Sequence, residues 1–173
     1  MKPKLVRCHL NDLQILVTLS QKTYLQYYQH LWYDQGRSYI QEEFNHQTLM
    51  RQLQQDRSAF YLIDLNKKPV GYIKLNYQKG VSQFAPEKCL EVQRIYFLAH
   101  QTRKGLGSYV LRQIEKVAGN LDLSVLWLQV LERGAAEPFY LRNGYKPIGI
   151  TTFVHPQIKR EYQYFQVMVK LIY

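Results

Sequence analysis

The stretch Thr102-Arg103-Lys104-Gly105-Leu106-Gly107 decides the fold of this chain. It joins a predicted strand, residues 90–98, to a predicted helix, residues 105–119, whose apolar side chains recur at helical spacing. The first amides of a helix have no partner inside the helix, and the helix dipole favours an anion beside them. A strand, a glycine-containing loop and a helix in this order therefore predict an anion-binding site.

The residue types in the loop suit a pyrophosphate. Glycine at 105 and 107 lets the backbone approach a ligand closely, Arg103 and Lys104 add positive charge, and Ser108 can donate a hydrogen bond. A tight turn before an ordinary helix is the alternative for an isolated Gly-x-Gly pair. The loop is not a GxxxxGK[ST] phosphate loop, and it lacks the third glycine of a dinucleotide-binding fingerprint.

Hydrophobic periodicity predicts the elements around this loop. The expected order is strand, two helices, three strands, helix, strand, helix and two strands. Strands are expected at residues 4–9, 59–65, 70–77, 90–98, 124–131, 145–154 and 162–172, and the last two helices at residues 105–119 and 135–142. This order predicts one α/β (α+β) domain over residues 1–173, with a mixed central sheet of six to seven strands and helices on both faces.

Composition narrows the class of protein. Apolar residues make up 46% of the chain, which favours a globular domain, and no apolar run approaches the length of a membrane span. Two distant cysteines and five scattered histidines argue against a metal site and favour a cytoplasmic location. The formal charge of +10 is spread along the chain, so it indicates a solvated basic surface and makes nucleic acid an unlikely partner.

Two motifs resemble the GNAT family of N-acetyltransferases. Residues 90–118 are similar to its central cofactor motif, [QR]-x-x-G-x-[GA], with Thr102 in place of the usual Gln or Arg. Residues 126–130, followed by Phe139-Tyr140 and Gly144-Tyr145, are similar to its next motif. The resemblance implies acetyl-CoA as co-substrate, no metal, and a primary amine on a small molecule or peptide as acetyl acceptor.

The resemblance also assigns roles to residues of this chain. The strand residues Ile95, Tyr96 and Phe97 would contact the pantetheine arm beside a splay in the sheet, and Tyr140 would lie near the sulfur as general acid. The pyrophosphate would be held by the loop residues Arg103, Lys104, Gly105, Leu106, Gly107 and Ser108. The family's usual Asn before the short helix is replaced by Arg133 or Gly134, so Arg133 is the expected cofactor contact there.

Glu91 is the candidate general base from the residues themselves. It lies four residues before Ile95, so strand alternation predicts that both side chains share one face of the sheet. A carboxylate there could accept the proton of the attacking amine, directly or through water. The alternative is a salt bridge at the end of the strand.

Tyrosines crowd the first predicted helix. Tyr24, Tyr27 and Tyr28 could line an acceptor site, because aromatic faces attract cationic amines. An aromatic core face is the alternative. The same helix and residues 90–97 are similar to the polyamine acetyltransferase (PaiA-like) branch of the family.

Three functions are compatible with these features. The first is an acetyl-CoA-dependent N-acetyltransferase, an acyltransferase that uses an amine substrate. The second is a non-catalytic acyl-CoA-binding module, suggested by Thr102 and Arg133. The third is a nucleic-acid-binding protein, suggested only by the charge. Both a monomer and a homodimer are open.

Overall fold

A mixed β-sheet organises the chain in the computed structural model, which describes residues 2–102 and 104–172. Across these residues the sheet has seven strands in the order β1-β2-β3-β4-β5-β7-β6. The strands are β1 (Lys4–Arg7), β2 (Ser58–Leu65), β3 (Lys68–Tyr77), β4 (Cys89–Phe97), β5 (Val125–Leu131), β6 (Lys146–Thr152) and β7 (Tyr164–Leu171). The helices are α1 (Leu13–Tyr28), α2 (Arg37–Glu43), α3 (His46–Leu53), α4 (Leu106–Gly119) and α5 (Glu137–Arg142).

The predicted order of the strands and of the last two helices is confirmed, and so is the mixed sheet. Three helices, α1, α2 and α3, lie between β1 and β2, where two were expected, because Asn45 caps a separate helix by accepting a hydrogen bond from the Thr48 amide. Every pair of neighbouring strands in the described sheet is antiparallel except β4 and β5, which run parallel. The crossover between these two parallel strands carries α4, as a parallel connection requires. Observed strand ends coincide with the predicted ones or differ from them by one or two residues.

Two hydrophobic clusters fix the sheet between its helices. The first covers the face beneath α4 and α5, with Leu90, Val92, Leu126, Val110, Ile114, Tyr140 and Tyr145 among its buried residues. The second covers the opposite face beneath α1, α2 and α3, with Leu16, Tyr24, Phe44, Leu49, Phe60 and Tyr72 among them. Helices therefore cover both faces, as predicted, and α4 and α1 approach the end of β4 from opposite sides.

A β-bulge in β4 breaks its alternation. Lys74 of β3 pairs with Arg94, and the next residue of β3, Leu75, pairs with Val92, which leaves Gln93 as the extra residue. An extra residue reverses the alternation of all the side chains that follow it. Leu90 and Val92 before the bulge, and Ile95 and Phe97 after it, consequently all pack on the first cluster.

The start of α4 needs glycine both at its N-cap and in its first turn, for different reasons. Gly105 precedes the helix in the left-handed conformation, with φ of 73°, where a side chain is strained. Gly107 lies against the ring of Phe139, since a Cβ built there would be 2.9 Å from Phe139 Cζ. Phe139 belongs to α5, so Gly107 lets α5 pack against the first turn of α4.

Replacing Gly107 with alanine is expected to lower the free energy of unfolding by about 1–3 kcal/mol, because the added methyl group overlaps the Phe139 ring. Urea denaturation measures the change. Gly119→Ala in the same helix is the matched control, since a Cβ there meets nothing within 4 Å, and it should be neutral or stabilising. Equal stability of the two variants would contradict the close packing of α5 on α4.

Candidate active site

A gap between β4 and β5 is the centre of the candidate site. The two strands pair only from Cys89↔Val125 to Glu91↔Trp127. Beyond these residues β4 continues to Phe97 beside β3, and β5 continues to Leu131 beside β7. Buried backbone groups need hydrogen-bond partners, so the facing edges of the two strands can receive an extended ligand.

The half-buried residues Ile95, Tyr96 and Phe97 form the β4 side of this gap, where the cofactor contacts are expected. A short turn, Ala99–Gln101, connects them to the loop before α4. Thr102, which replaces the family's Gln or Arg, donates its hydroxyl hydrogen to the carbonyl of Ala99 at 2.9 Å. Its side chain is therefore used to hold the turn.

The predicted anion site lies at the start of α4. Lys104 and Gly105 are exposed, Leu106 is buried beneath them, and Gly107 and Ser108 are partly buried in the first helical turn. Free amides of that turn face the loop side, as the anion-site prediction requires. Arg103, the other expected cation, lies outside the described residues.

Tyr140 lies on α5 beside this gap and belongs to the first cluster. Burial, with a smaller effect from Tyr28, raises the pKa of its phenol above the ordinary value. Among the described residues no hydrogen bond to its hydroxyl is found. The phenol is therefore protonated at neutral pH and free to donate, which is what a general acid needs.

Glu91 does not share a face with Ile95, so that prediction was wrong. The bulge at Gln93 adds one residue between them and reverses the alternation. Glu91 lies on the face of α1 to α3, at the closed end of the gap, and is 4% exposed. Lys79 Nζ forms a salt bridge with its Oε2 at 2.7 Å, and Asn76 Nδ2 donates to the same oxygen.

The alternative for Glu91, a salt bridge, is therefore present, and it does not remove the carboxylate from the site. Both contacts go to Oε2, which leaves Oε1 as the oxygen that a proton or water would reach. Asn76 also donates to Oε1 of Gln93 at 3.2 Å. The bulge residue and Glu91 are thus joined on one face by the same amide.

The three tyrosines of α1 have different surroundings. Tyr24 is buried in the second cluster and accepts a hydrogen bond from Trp32 Nε1 at 2.9 Å, as a core residue would. The hydroxyl of Tyr27 faces Thr102, is buried, and has no hydrogen-bond partner among the described residues. Burial raises the pKa of this phenol. Tyr28 packs 5.6 Å from Tyr96, between the centroids of the rings. Of these three tyrosines, Tyr28 is therefore the one that lies beside β4, and it is also close enough to Tyr140 to affect its pKa.

Arg133 lies past the end of β5 and is exposed, with a positive φ of 55°. Its backbone amide donates to Glu137 Oε2 at 2.8 Å, which holds the turn before α5. This places a cation at the open end of the gap, away from Glu91.

Sequence reasoning missed the residues that surround Glu91. Asn76 lies at the end of the strand predicted at residues 70–77, and Lys79 lies just after it, so neither pointed to a site. Arg94 is buried and pairs with Glu43 Oε2 at 2.7 Å, which ties β4 to α2. An ionic residue in the middle of a hydrophobic strand was the available signal for Arg94.

No cluster of three or more metal-ligating side chains is found within the described residues. Over the same residues, no helix is long and apolar enough to span a membrane.

Comparison with known proteins gives one family. The model described as the acetyltransferase (GNAT) family matches residues 16–145, which is well over half of the chain. An uncharacterized N-acetyltransferase from Lactobacillus delbrueckii subsp. lactis is 27% identical over 107 residues, which are 61% of this chain and 62% of that protein. The chain thus matches less than two thirds of that relative's length.

Solved structures share the fold over nearly the whole chain. The PaiA N-acetyltransferase from Thermoplasma acidophilum in complex with coenzyme A has a TM-score of 0.76 and 17% identity, covering 99% of this chain and 100% of that one. A spermidine N-acetyltransferase chimera of SpeG from Vibrio cholerae and hSSAT has a TM-score of 0.71 and 16% identity, covering 99% of this chain and 96% of that one. At these identities the likeness supports the fold.

Proposed function

The chain belongs to the acetyltransferase (GNAT) family, as its two sequence motifs predict, and we propose that it transfers an acetyl group from acetyl-CoA to a primary amine. The observation that carries the proposal is the gap between β4 and β5, closed at Glu91 and flanked by Tyr140 and the start of α4. Family membership supports the enzyme class, and the coenzyme A complex of a protein with this fold supports the co-substrate.

Residues present in the chain fit acetyl-CoA. The edge of β4 at Ile95, Tyr96 and Phe97 offers backbone groups to an extended arm with amide bonds. The first turn of α4, with Lys104 beside it, offers amides and positive charge to a pyrophosphate. Thioester chemistry would then take place between these strands, near Tyr140 and Glu91.

The transfer needs one proton removed and one supplied. The amine nitrogen attacks the thioester carbonyl carbon, the C–N bond forms and the C–S bond breaks. Glu91 would take the amine proton at Oε1, directly or through water, while Tyr140 would give its phenolic proton to the leaving sulfur. Holding both reactants in one gap supplies much of the acceleration, because the reaction becomes effectively intramolecular.

An amine acceptor is supported by one protein of the same fold, which is named for acetylating spermidine. Tyr28, with its ring against Tyr96, provides an aromatic wall beside the gap. Tyr24 and Tyr27 support that wall from the core and from the cofactor loop.

Acetyl-CoA should raise the melting temperature of the purified protein, and free CoA should appear when an accepted amine is added. Calorimetry measures the first effect and a thiol reagent the second, over a panel of neutral, cationic and anionic amines. Binding without CoA release from any amine would favour a non-catalytic acyl-CoA-binding module. Absence of both would reject the proposed function.

Tyr140→Phe should lower kcat by about 10²–10⁴-fold while leaving the Kd for acetyl-CoA nearly unchanged, because only the proton donor is lost. Stability should change little, since no hydrogen bond to this hydroxyl is found among the described residues. Tyr145→Phe is the matched control, because that buried hydroxyl is also without a hydrogen bond and should not alter kcat. Undiminished turnover in Tyr140→Phe would exclude Tyr140 as the acid.

Glu91→Gln should lower kcat by about 10²–10⁴-fold at neutral pH, because the amide cannot accept the amine proton. The deficit should shrink as pH rises and more of the amine becomes neutral on its own. Glu115→Gln is the matched control, since Glu115 also makes a salt bridge of 2.7 Å, to Lys170 and outside this site. Equal losses in the two variants would assign Glu91 a purely structural role.

A further inference from the structure

A polar cleft adjoins Glu91 on the face of α1 to α3. It has a volume of about 380 Å³. Its walls include Arg57, Ser58, Lys74, Asn76, Lys79 and Gln93. Asn76 and Lys79 also contact the Glu91 carboxylate, so the candidate base lies directly beside the wall of the cleft.

The charge of this cleft is positive. Lys79 is neutralised by Glu91, and Arg94 behind the cleft is neutralised by Glu43. Lys74 and Arg57 are the cationic residues of the cleft that are not neutralised in this way. Among the described residues, no carboxylate lies within salt-bridge distance of either one. Lys74 Nζ donates a hydrogen bond to a neutral acceptor, Gln52 Oε1, at 2.9 Å.

Lys74 is buried in spite of its charge. It is 4% exposed, and burial lowers its pKa to about 7, with Arg94 as the second cause and Lys79 acting in the same direction. Glu43 and Glu91 oppose the shift without cancelling it. A bound anion would stabilise the ammonium form, so the cleft is poised to take up an anion together with a proton.

Ser58 supplies a second polar group in need of a partner. Its side chain is 4% exposed, lines the cleft, and has a hydroxyl with no hydrogen-bond partner in the described structure. Buried hydroxyls are rarely left without a partner. Ser58 pairs with Asn76 in the sheet, so its hydroxyl, the Lys74 ammonium and the Asn76 amide line one face of two adjacent strands.

We propose that this cleft binds the far end of the acetyl acceptor and selects an amine that also carries an anion, a carboxylate or a phosphate. The inference rests on the proposed function and adds the class of acceptor. The amine would lie at Glu91 and the anion between Lys74, Arg57 and Ser58. Lys74 lies two residues along β3 from Asn76, the residue that pairs with Glu91 in the sheet. Two residues along a strand span roughly 7 Å, so we expect the amine and the anion to be about this far apart.

The test compares acceptors that differ only in the charge of the far end. 6-Aminohexanoate should be acetylated with a kcat/KM about tenfold or more above that of 6-aminohexanamide, as expected for a charge-assisted contact. 1,5-Diaminopentane should be poorer still, and 4-aminobutyl phosphate tests whether phosphate replaces carboxylate. The carboxylate-to-amide ratio should fall as pH rises through about 7, because Lys74 loses its proton there.

Two variants locate the preference. Lys74→Met keeps the stem and removes the charge, and Arg57→Gln removes the charge of an exposed residue. Each should reduce the carboxylate-to-amide ratio severalfold, and Lys74→Met should abolish its pH dependence. Lys4→Met, on the exposed edge of β1, is the control and should leave the ratio unchanged.

The outcomes separate this inference from the proposed function. Turnover with an equal or higher kcat/KM for the amide or the diamine would overturn the inference and leave the acetyltransferase function standing. If no amine releases CoA, the proposed function fails. Calorimetric titration with 6-aminohexanoate alone then decides whether the cleft binds an amine that carries a carboxylate. Binding that is lost in Lys74→Met supports the site, and no saturable binding overturns it.

Discussion

The short pairing between β4 and β5 is the constraint on which the rest of the site depends. It ends at Glu91 and Trp127, and beyond these residues each strand continues beside its own antiparallel neighbour, β4 beside β3 and β5 beside β7. Those outer pairings hold each strand in the sheet where the two are not paired with each other. The inner edges retain polar backbone groups, which favour a ligand with amide bonds over an apolar one. A gap built in this way needs no separate domain or lid.

The bulge at Gln93 is the second constraint, because it decides which groups meet at the closed end of the gap. Without it, strand alternation would put Glu91 beneath α4, with Ile95, in the hydrophobic cluster. With it, Glu91 faces Asn76 and Lys79 on the side of α1 to α3. The candidate acid, Tyr140, comes from the first cluster on the other side. An acid and a base on opposite sides of one gap suit a reaction that takes one proton and supplies another.

The sequence predicted the order of the strands and of the last two helices, because apolar periodicity and turn residues are local signals. It also predicted the loop before α4, since Gly105 and Gly107 mark it. The face of Glu91 could not be predicted, because one extra residue in β4 is set by pairing with β3 and leaves no local pattern. The pairing of Lys79 with Glu91 is equally non-local. Tyr24 shows the same limit, since only its packing against Trp32 separates a core tyrosine from a ligand-facing one.

Part of the basic composition can be assigned to positions near the gap between β4 and β5. Lys104 and the first turn of α4 lie at one end of it, and Lys74 and Arg57 lie beyond Glu91 near the other. Positive charge at both ends would draw an anionic co-substrate and an anionic acceptor toward the same centre. Burying Lys74 is unfavourable for the free protein, and it is tolerated when a ligand restores the lost solvation. Under the proposed function, the charge therefore acts at the two ends of the gap and not only as a solvated surface.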